Sequence, residues 1–264
     1  MAFSPCPNDT FVFHALIHGL VGAGPYAVSA HVEDVEALNN AAFAGRFGAT
    51  KISFYAYLLL KKRYALLASG AALGYGCGPL LVAKKRPRSP ARARVAVPGM
   101  HTTALLLLRL WEPRMEGVEP MRFDMIMESV ASGACDAGLI IHEGRFVYER
   151  YGLRKIVDLG EWWERETGLP VPLGCIALRR EGASPGEAGT VSDIIRSSVL
   201  YARAHPAASD AYVRAHAQEM EDEVIRRHIE LYVNDFTVDL GETGMRAVET
   251  LEEMARCRGI FPRE

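Results

Sequence analysis

Residues 86–93 read RPRSPARA, a basic stretch broken by Pro87 and Pro90. Proline cannot continue a helix or serve a central strand, so this segment reads as a linker. On both sides of it, short apolar runs alternate with amphipathic ones. The linker therefore splits one strand–helix alternation into two sets, and that split decides the fold class.

Upstream, residues 8–19 (NDTFVFHALIHG) predict a helix capped by Asn8 or Asp9 and ended by Gly19. Residues 26–33 (YAVSAHVE) alternate as a strand does, and 34–45 predict a helix with Asp34 as cap and Val35, Leu38 and Ala42 on one face. A short strand follows at 49–54 (ATKISF), then a mostly helical run at 55–67. Residues 76–85 (GCGPLLVAKK) form a buried strand entered by a glycine-rich turn.

Downstream, 94–99 (RVAVPG) is a strand, 102–111 (TTALLLLRLW) a helix, 119–124 extended, 124–133 a helix and 136–144 (DAGLIIHEG) a buried strand. Residues 161–168 and 169–180 lead into a C-terminal third that is nearly all helical, in runs at 192–206, 208–220, 222–235 and 242–259. The pattern predicts an α/β protein with largely parallel sheets. Two lobes follow, one from residues 1–86 with 174–264 and a smaller one from 87–173. Residues 78–85 and 174–180 would cross between them, and two such connections suggest hinge closure over a ligand.

The chain has 264 residues, 49% hydrophobic and 23% charged, enough for one large domain or two small lobes. Its net charge of −2 attracts neither nucleic acid nor an anionic membrane. No apolar run approaches the ~20 residues of a membrane span, and no secretory signal opens the chain, so a cytoplasmic protein is expected. The five cysteines lack a CxxC pair, which argues against a disulfide framework and a structural zinc site.

In open α/β sheets, ligands sit beyond the carboxyl ends of strands. The segments there are SPCPNDT (4–10), TKIS (50–53), PGMHTTA (98–104) and IIHEGR (140–145). Asn8, Asp9, Thr102 and Thr103 are each explained singly as helix caps worth about 1 kcal/mol. Four such loops converging make a cleft suited to a carboxylate.

These blocks, together with GAALGYGCGPLLVA, DAGLIIHEGRFVYERYGL and VDLGEWWERETGLPVPLG, resemble the 1,4-dihydroxy-6-naphthoate synthases of the futalosine branch of menaquinone biosynthesis. The resemblance runs through nearly the whole chain. It implies a two-lobed fold like that of periplasmic binding proteins. It also implies a lyase without metal or organic cofactor, converting cyclic dehypoxanthine futalosine to the dihydroxynaphthoate and dihydroxyacetone. By the same resemblance His142 is the general base, and Lys51, Ile52, Ser53, Thr102 and Thr103 contact a small carboxylate substrate. Asn8 and Asp9 join them from the reading of the loops. Two departures stand out. Members of the family carry more residues before SPCPNDT, so a short first strand or a truncated start is expected, and Cys175 stands where a glycine is usual.

Other features weigh less. Cys6 lies near a helix start, where a thiolate is stabilised, yet no histidine neighbours it in sequence, and a packed thiol is the simpler expectation. His14 and His18 are spaced like metal ligands but lack the glutamate of HExxH. GYGCGP (74–79) lacks the GK[ST] ending of a phosphate loop. Trp162 and Trp163 could line a pocket or fill the core, and KKRPRSPARAR (84–94) reads as a solvated linker. Two other functions fit the fold: chorismate dehydration by a sister family of the same pathway, and solute binding without catalysis.

Overall fold

A computed structural model of the chain describes residues 1–217 and 221–261. In chain order the first lobe begins with β1 (Ala2–Phe3), α1 (Pro7–Ile17), β2 (His31–Val32), α2 (Val35–Phe43), β3 (Ala49–Ser53), α3 (Phe54–Leu60), β4 (Tyr64–Leu66) and β5 (Ala72–Gly74). The chain then crosses into β6 (Leu80–Ala83), β7 (Val95–Val97), α4 (Thr103–Trp111), β8 (Val118–Pro120), α5 (Ile126–Ser132), β9 (Ala137–Ile140), α6 (Gly144–Val147), β10 (Arg154–Asp158) and α7 (Leu159–Thr167). It returns through β11 (Val171–Arg179) to α8 (Glu187–Ala204), α9 (Asp210–His216), α10 (Asp222–Tyr232), α11 (Asp235–Val238) and α12 (Gly241–Cys257). The helix expected over 208–220 ends at His216, and its residues 218–220 lie outside the described residues.

Two sheets result, ordered β2-β1-β3-β11-β4 with β5 on β11, and β10-β6-β9-β7-β8. They are mixed, not largely parallel. β1 runs parallel to β2 and β3, and β7 to β8 and β9. β11 is antiparallel to β3, β4 and β5, and β6 is antiparallel to β9 and β10. The exceptions are the two strands that carry the chain between lobes, which enter against the direction of the strand–helix units.

The expected boundary after residue 86 also moves. Leu80–Ala83 pairs inside the second sheet, and Val171 already pairs with Gly74 in the first. The proline-rich stretch is a surface loop joining β6 to β7, two strands of one sheet, with a short 3-10 turn at Pro90–Arg92. The chain passes between lobes just before β6. There the backbones of Gly78 and Gly160 touch, and a Cβ on Gly78 would lie 2.3 Å from the Cα of Gly160. Of the glycines in GYGCGP, Gly78 serves that close approach.

Helix α4 joins the lobes. Leu105 to Leu108 and Leu110 are all buried in a core cluster that holds residues of both sheets, among them Ile52, Leu81, Val95, Leu139 and Cys175. Each such leucine contributes roughly 1.5–3 kcal/mol of burial. Trp162 and Trp163 are part of this core, with the Trp163 indole N–H donating to the Pro170 carbonyl at 3.0 Å. Strand β2 is shorter than the alternation of 26–33 predicts, and 55–67 breaks after α3 to form β4.

Candidate active site

A cleft with about 660 Å³ of free space opens between the sheets. Its walls include Asn8, Asp9, Lys51, Ile52, Ser53, Thr102, Thr103 and His142, so the fold brings all eight sequence candidates together. They come from the carboxyl ends of β1, β3, β7 and β9 and the helices that follow.

The start of α1 is not built as the sequence suggests. Its N-cap is Cys6, held between two prolines, and Asn8 and Asp9 lie inside the first turn. The Asp9 carboxylate, 3% exposed, turns back to accept the Ser4 hydroxyl at 2.7 Å and the Ser4 amide at 3.2 Å. It also pairs with Lys51 Nζ at 3.0 Å. Lys51 gives a second hydrogen bond to the Gly70 carbonyl, also 3.0 Å. Asn8 extends the network, donating to Asp9 at 2.9 Å and accepting from Nε2 of the fully buried His228 at 2.8 Å.

The start of α4 behaves differently. Thr102 is the predicted cap, its Oγ1 accepting from the Leu105 amide, but its hydroxyl hydrogen goes to the Gly99 carbonyl. The Thr103 hydroxyl donates to the Leu173 carbonyl at 2.6 Å and accepts from the Tyr55 amide at 3.2 Å. Neither threonine keeps a hydroxyl hydrogen for a ligand. Among the described residues, the Thr103 and Ala104 amides have no protein acceptor. Ser53, oriented by Asn39 on both its amide and its oxygen, also keeps its hydroxyl hydrogen. The loop before α4 is tied to α2 by Glu36, which accepts from the Met100 and His101 amides. Gly99, at φ 152°, leaves the room that carboxylate needs.

His142 follows β9 with φ 56°, the left-handed region that few non-glycine residues adopt. That conformation turns the side chain off the strand and into the cleft. Protein packs closely around the ring while one edge stays open, and Phe123 meets it edge-on at 5.0 Å. Burial lowers its pKa to about 4; Asp9 opposes that shift and Lys51 adds to it. The imidazole is therefore neutral at pH 7 and able to accept a proton.

Some site features escaped the sequence. Ser4, Tyr232, Leu173 and Gly174 also line the cleft. The Cys6 sulfur lies 3.2 Å from His142 Nδ1, a partner 136 residues away. The other sequence candidates lie elsewhere. His14 and His18 pack against each other and against Tyr212 with their rings tilted or edge-on, off the cleft. No three His, Cys, Asp or Glu side chains converge as metal ligands among the described residues. Cys175 is buried in β11, and burial pushes its thiol pKa up.

Two mixed sheets with a cleft between them define a periplasmic-binding-protein-like architecture. A solved structure of the alkanesulfonate-binding protein SsuA from Xanthomonas axonopodis shares it, with a TM-score of 0.73 over 99% of this chain and 93% of that one at 14% identity. The chain belongs to the menaquinone biosynthesis family, whose model matches residues 1–257. It is 51% identical to a 1,4-dihydroxy-6-naphthoate synthase of Thermus thermophilus over 98% of this chain and 94% of the relative. With the synthase of Streptomyces coelicolor it shares 45% identity over 99% and 94%. A crystal structure of an Archaeoglobus fulgidus protein superposes with a TM-score of 0.91 at 38% identity, over 98% of this chain and 97% of that one. Neither chorismate dehydration nor solute binding is favoured by these relatives.

Proposed function

We propose that the chain is a 1,4-dihydroxy-6-naphthoate synthase, a carbon–carbon lyase in which His142 is the general base. The observation that carries this reading is that His142 opens into the same cleft as the unpaired start of α4 and the Ser53 hydroxyl. An anionic substrate would place its carboxylate against the Thr103 and Ala104 amides and Ser53, favoured by the positive end of the helix. Lys51 has a third N–H beyond those held by Asp9 and Gly70, available to a substrate oxygen.

With the carboxylate held there, the imidazole removes a proton from the substrate. Aromatisation of the ring then expels the three-carbon part as dihydroxyacetone, through residues of the chain alone. Thr102 and Thr103 act by holding the helix start, Asp9 by holding Lys51, and Asn8 by holding Asp9. Ile52 supplies apolar wall. A cytoplasmic location is part of the same proposal.

The test is turnover of cyclic dehypoxanthine futalosine by the purified protein, followed by naphthoate absorbance. A positioned base contributes ~10²–10⁴-fold, so His142→Asn should lose about that much kcat with KM nearly unchanged. Near-normal turnover in that variant would place the base elsewhere, and saturable binding without turnover in the wild type would favour a binding protein.

A further inference from the structure

Helix α10 holds a histidine that this chemistry leaves unused. His228 is fully buried and stands behind the cleft wall, one helical turn before Tyr232, which does line the cleft. Its Nε2 lies 2.8 Å from Asn8 Oδ1. Its Nδ1 has no hydrogen-bond partner among the described residues, the Glu143 carboxylate being 3.8 Å away. A buried nitrogen without a partner is costly, and a leucine in its place would fill the space without that cost.

The direction of each bond in this network follows from the ion pair at its end. The Asp9 carboxylate, paired with Lys51, only accepts, so Asn8 offers it the amide nitrogen, 2.9 Å away. Asn8 Oδ1 therefore faces His228 and accepts, which puts the proton of the neutral imidazole on Nε2. Burial, with a smaller part from His142, holds the His228 pKa well below 6.5, so the ring is neutral at pH 7. One oxygen, Asp9 Oδ1, takes both the Asn8 N–H and Lys51 Nζ, at 2.9 and 3.0 Å.

We propose that His228 is a positioning residue of the reaction: by holding the Asn8 amide nitrogen towards Asp9, it fixes how Lys51 presents its third N–H to a substrate oxygen. This rests on the reading above that Lys51 binds substrate. Without the His228 donor, the Asn8 amide can turn about χ2, and Asp9 Oδ1 is left to Lys51. The ammonium is then drawn further onto the carboxylate, and its third N–H loses its aim. His228 thus acts through Asn8, Asp9 and Lys51 in turn, and ties α10, far along the chain, to the substrate.

The experiment measures kcat and KM for cyclic dehypoxanthine futalosine in wild type, His228→Leu, His228→Gln, Asn8→Ala and His142→Asn. It adds imidazole ¹⁵N spectra of the histidine-labelled wild type, with His228→Gln to pick out the signals of His228. In the wild type Nε2 of His228 should carry the proton and Nδ1 should be bare. His228→Leu should raise KM about tenfold, the size of one hydrogen bond, with kcat nearly unchanged. Asn8→Ala should show the same shift, and the double variant no more than either alone, because both break one chain of contacts. His228→Gln, whose amide nitrogen reaches the place of Nε2, should return KM close to wild type, whereas a role in packing alone would tolerate leucine at least as well. If His228→Leu keeps the wild-type KM while His142→Asn is inactive, the positioning role is overturned and the base stands. A wild type without turnover overturns both. Should His228→Leu fail to fold, the spectrum and Asn8→Ala decide, because a protonated Nδ1, or a wild-type KM in Asn8→Ala, contradicts the proposal.

Discussion

The cleft is built on two helix starts that look alike in sequence and are used in opposite ways. SPCPNDT and PGMHTTA both place small polar residues at the head of an apolar helix. At α1 the protein supplies its own anion, as Asp9 folds back onto Ser4 and pairs with Lys51. At α4 the side chains hold the helix in place, while the Thr103 and Ala104 amides remain without a protein acceptor among the described residues. A helix start with an internal carboxylate is a frame, whereas one with free amides is a receptor. The same difference separates residues whose loss should damage the fold from residues whose loss should weaken substrate.

The largest effect on folding should come from the frame. Asp9→Ala leaves the ammonium of Lys51, 7% exposed, without its ion partner, and removing one member of a buried pair costs roughly 3–5 kcal/mol. Chemical denaturation should show that loss, and a stability within about 1 kcal/mol of wild type would mean that α1 is not a frame.

At the receptor, Ser53→Ala should cost less stability than Asp9→Ala, about 1–3 kcal/mol, because it leaves one N–H of the buried Asn39 amide without an acceptor. It should raise KM by about 10- to 100-fold, since a hydrogen bond to a charged group is worth ~1.5–3 kcal/mol. Thr102→Val acts on the helix start itself. It removes the cap of α4 and should cost about 1 kcal/mol of stability. Its KM should shift less than that of Ser53→Ala, because the Thr102 hydroxyl hydrogen already belongs to Gly99.

The gentlest test is pH. Burial lowers the pKa of His142 to about 4 and that of His228 well below the ordinary 6.5. Between pH 6.5 and 4 the unfolded chain therefore binds protons that the folded chain does not. By linkage, stability is complete above pH 6.5 and declines as pH falls through that window. The rate should follow the base itself and reach half its plateau near pH 4, once denaturation is accounted for. A half-point at 6.5 would mean that the surrounding protein does not depress the imidazole.

Much of this was legible from local pattern. The caps at Asp34 and Thr102, the strand at 49–53 and the abrupt end of 137–140 at His142 depend on neighbours in sequence. What escaped depends on partners far along the chain. Asp9 looks like a cap until Lys51, 42 residues later, is placed beside it. Cys6 looks like an ordinary packed thiol until β9 delivers His142. The proline-rich loop at 86–93 looks like a domain boundary because a break in hydrophobicity does not say whether the flanking strands share a sheet. The Thr102 and Thr103 hydroxyls look like ligand donors until the Gly99 and Leu173 carbonyls are found to accept them.

The contrast between the two helix starts is tested most directly by a crystal structure with the naphthoate product bound. The carboxylate should lie within hydrogen-bonding distance, about 2.7–3.1 Å, of the Thr103 and Ala104 amides and the Ser53 hydroxyl. The ring should face His142, and the Asp9–Lys51 pair should be unbroken. A carboxylate seated instead on the start of α1, displacing Asp9 from Lys51, would contradict the assignment of frame and receptor.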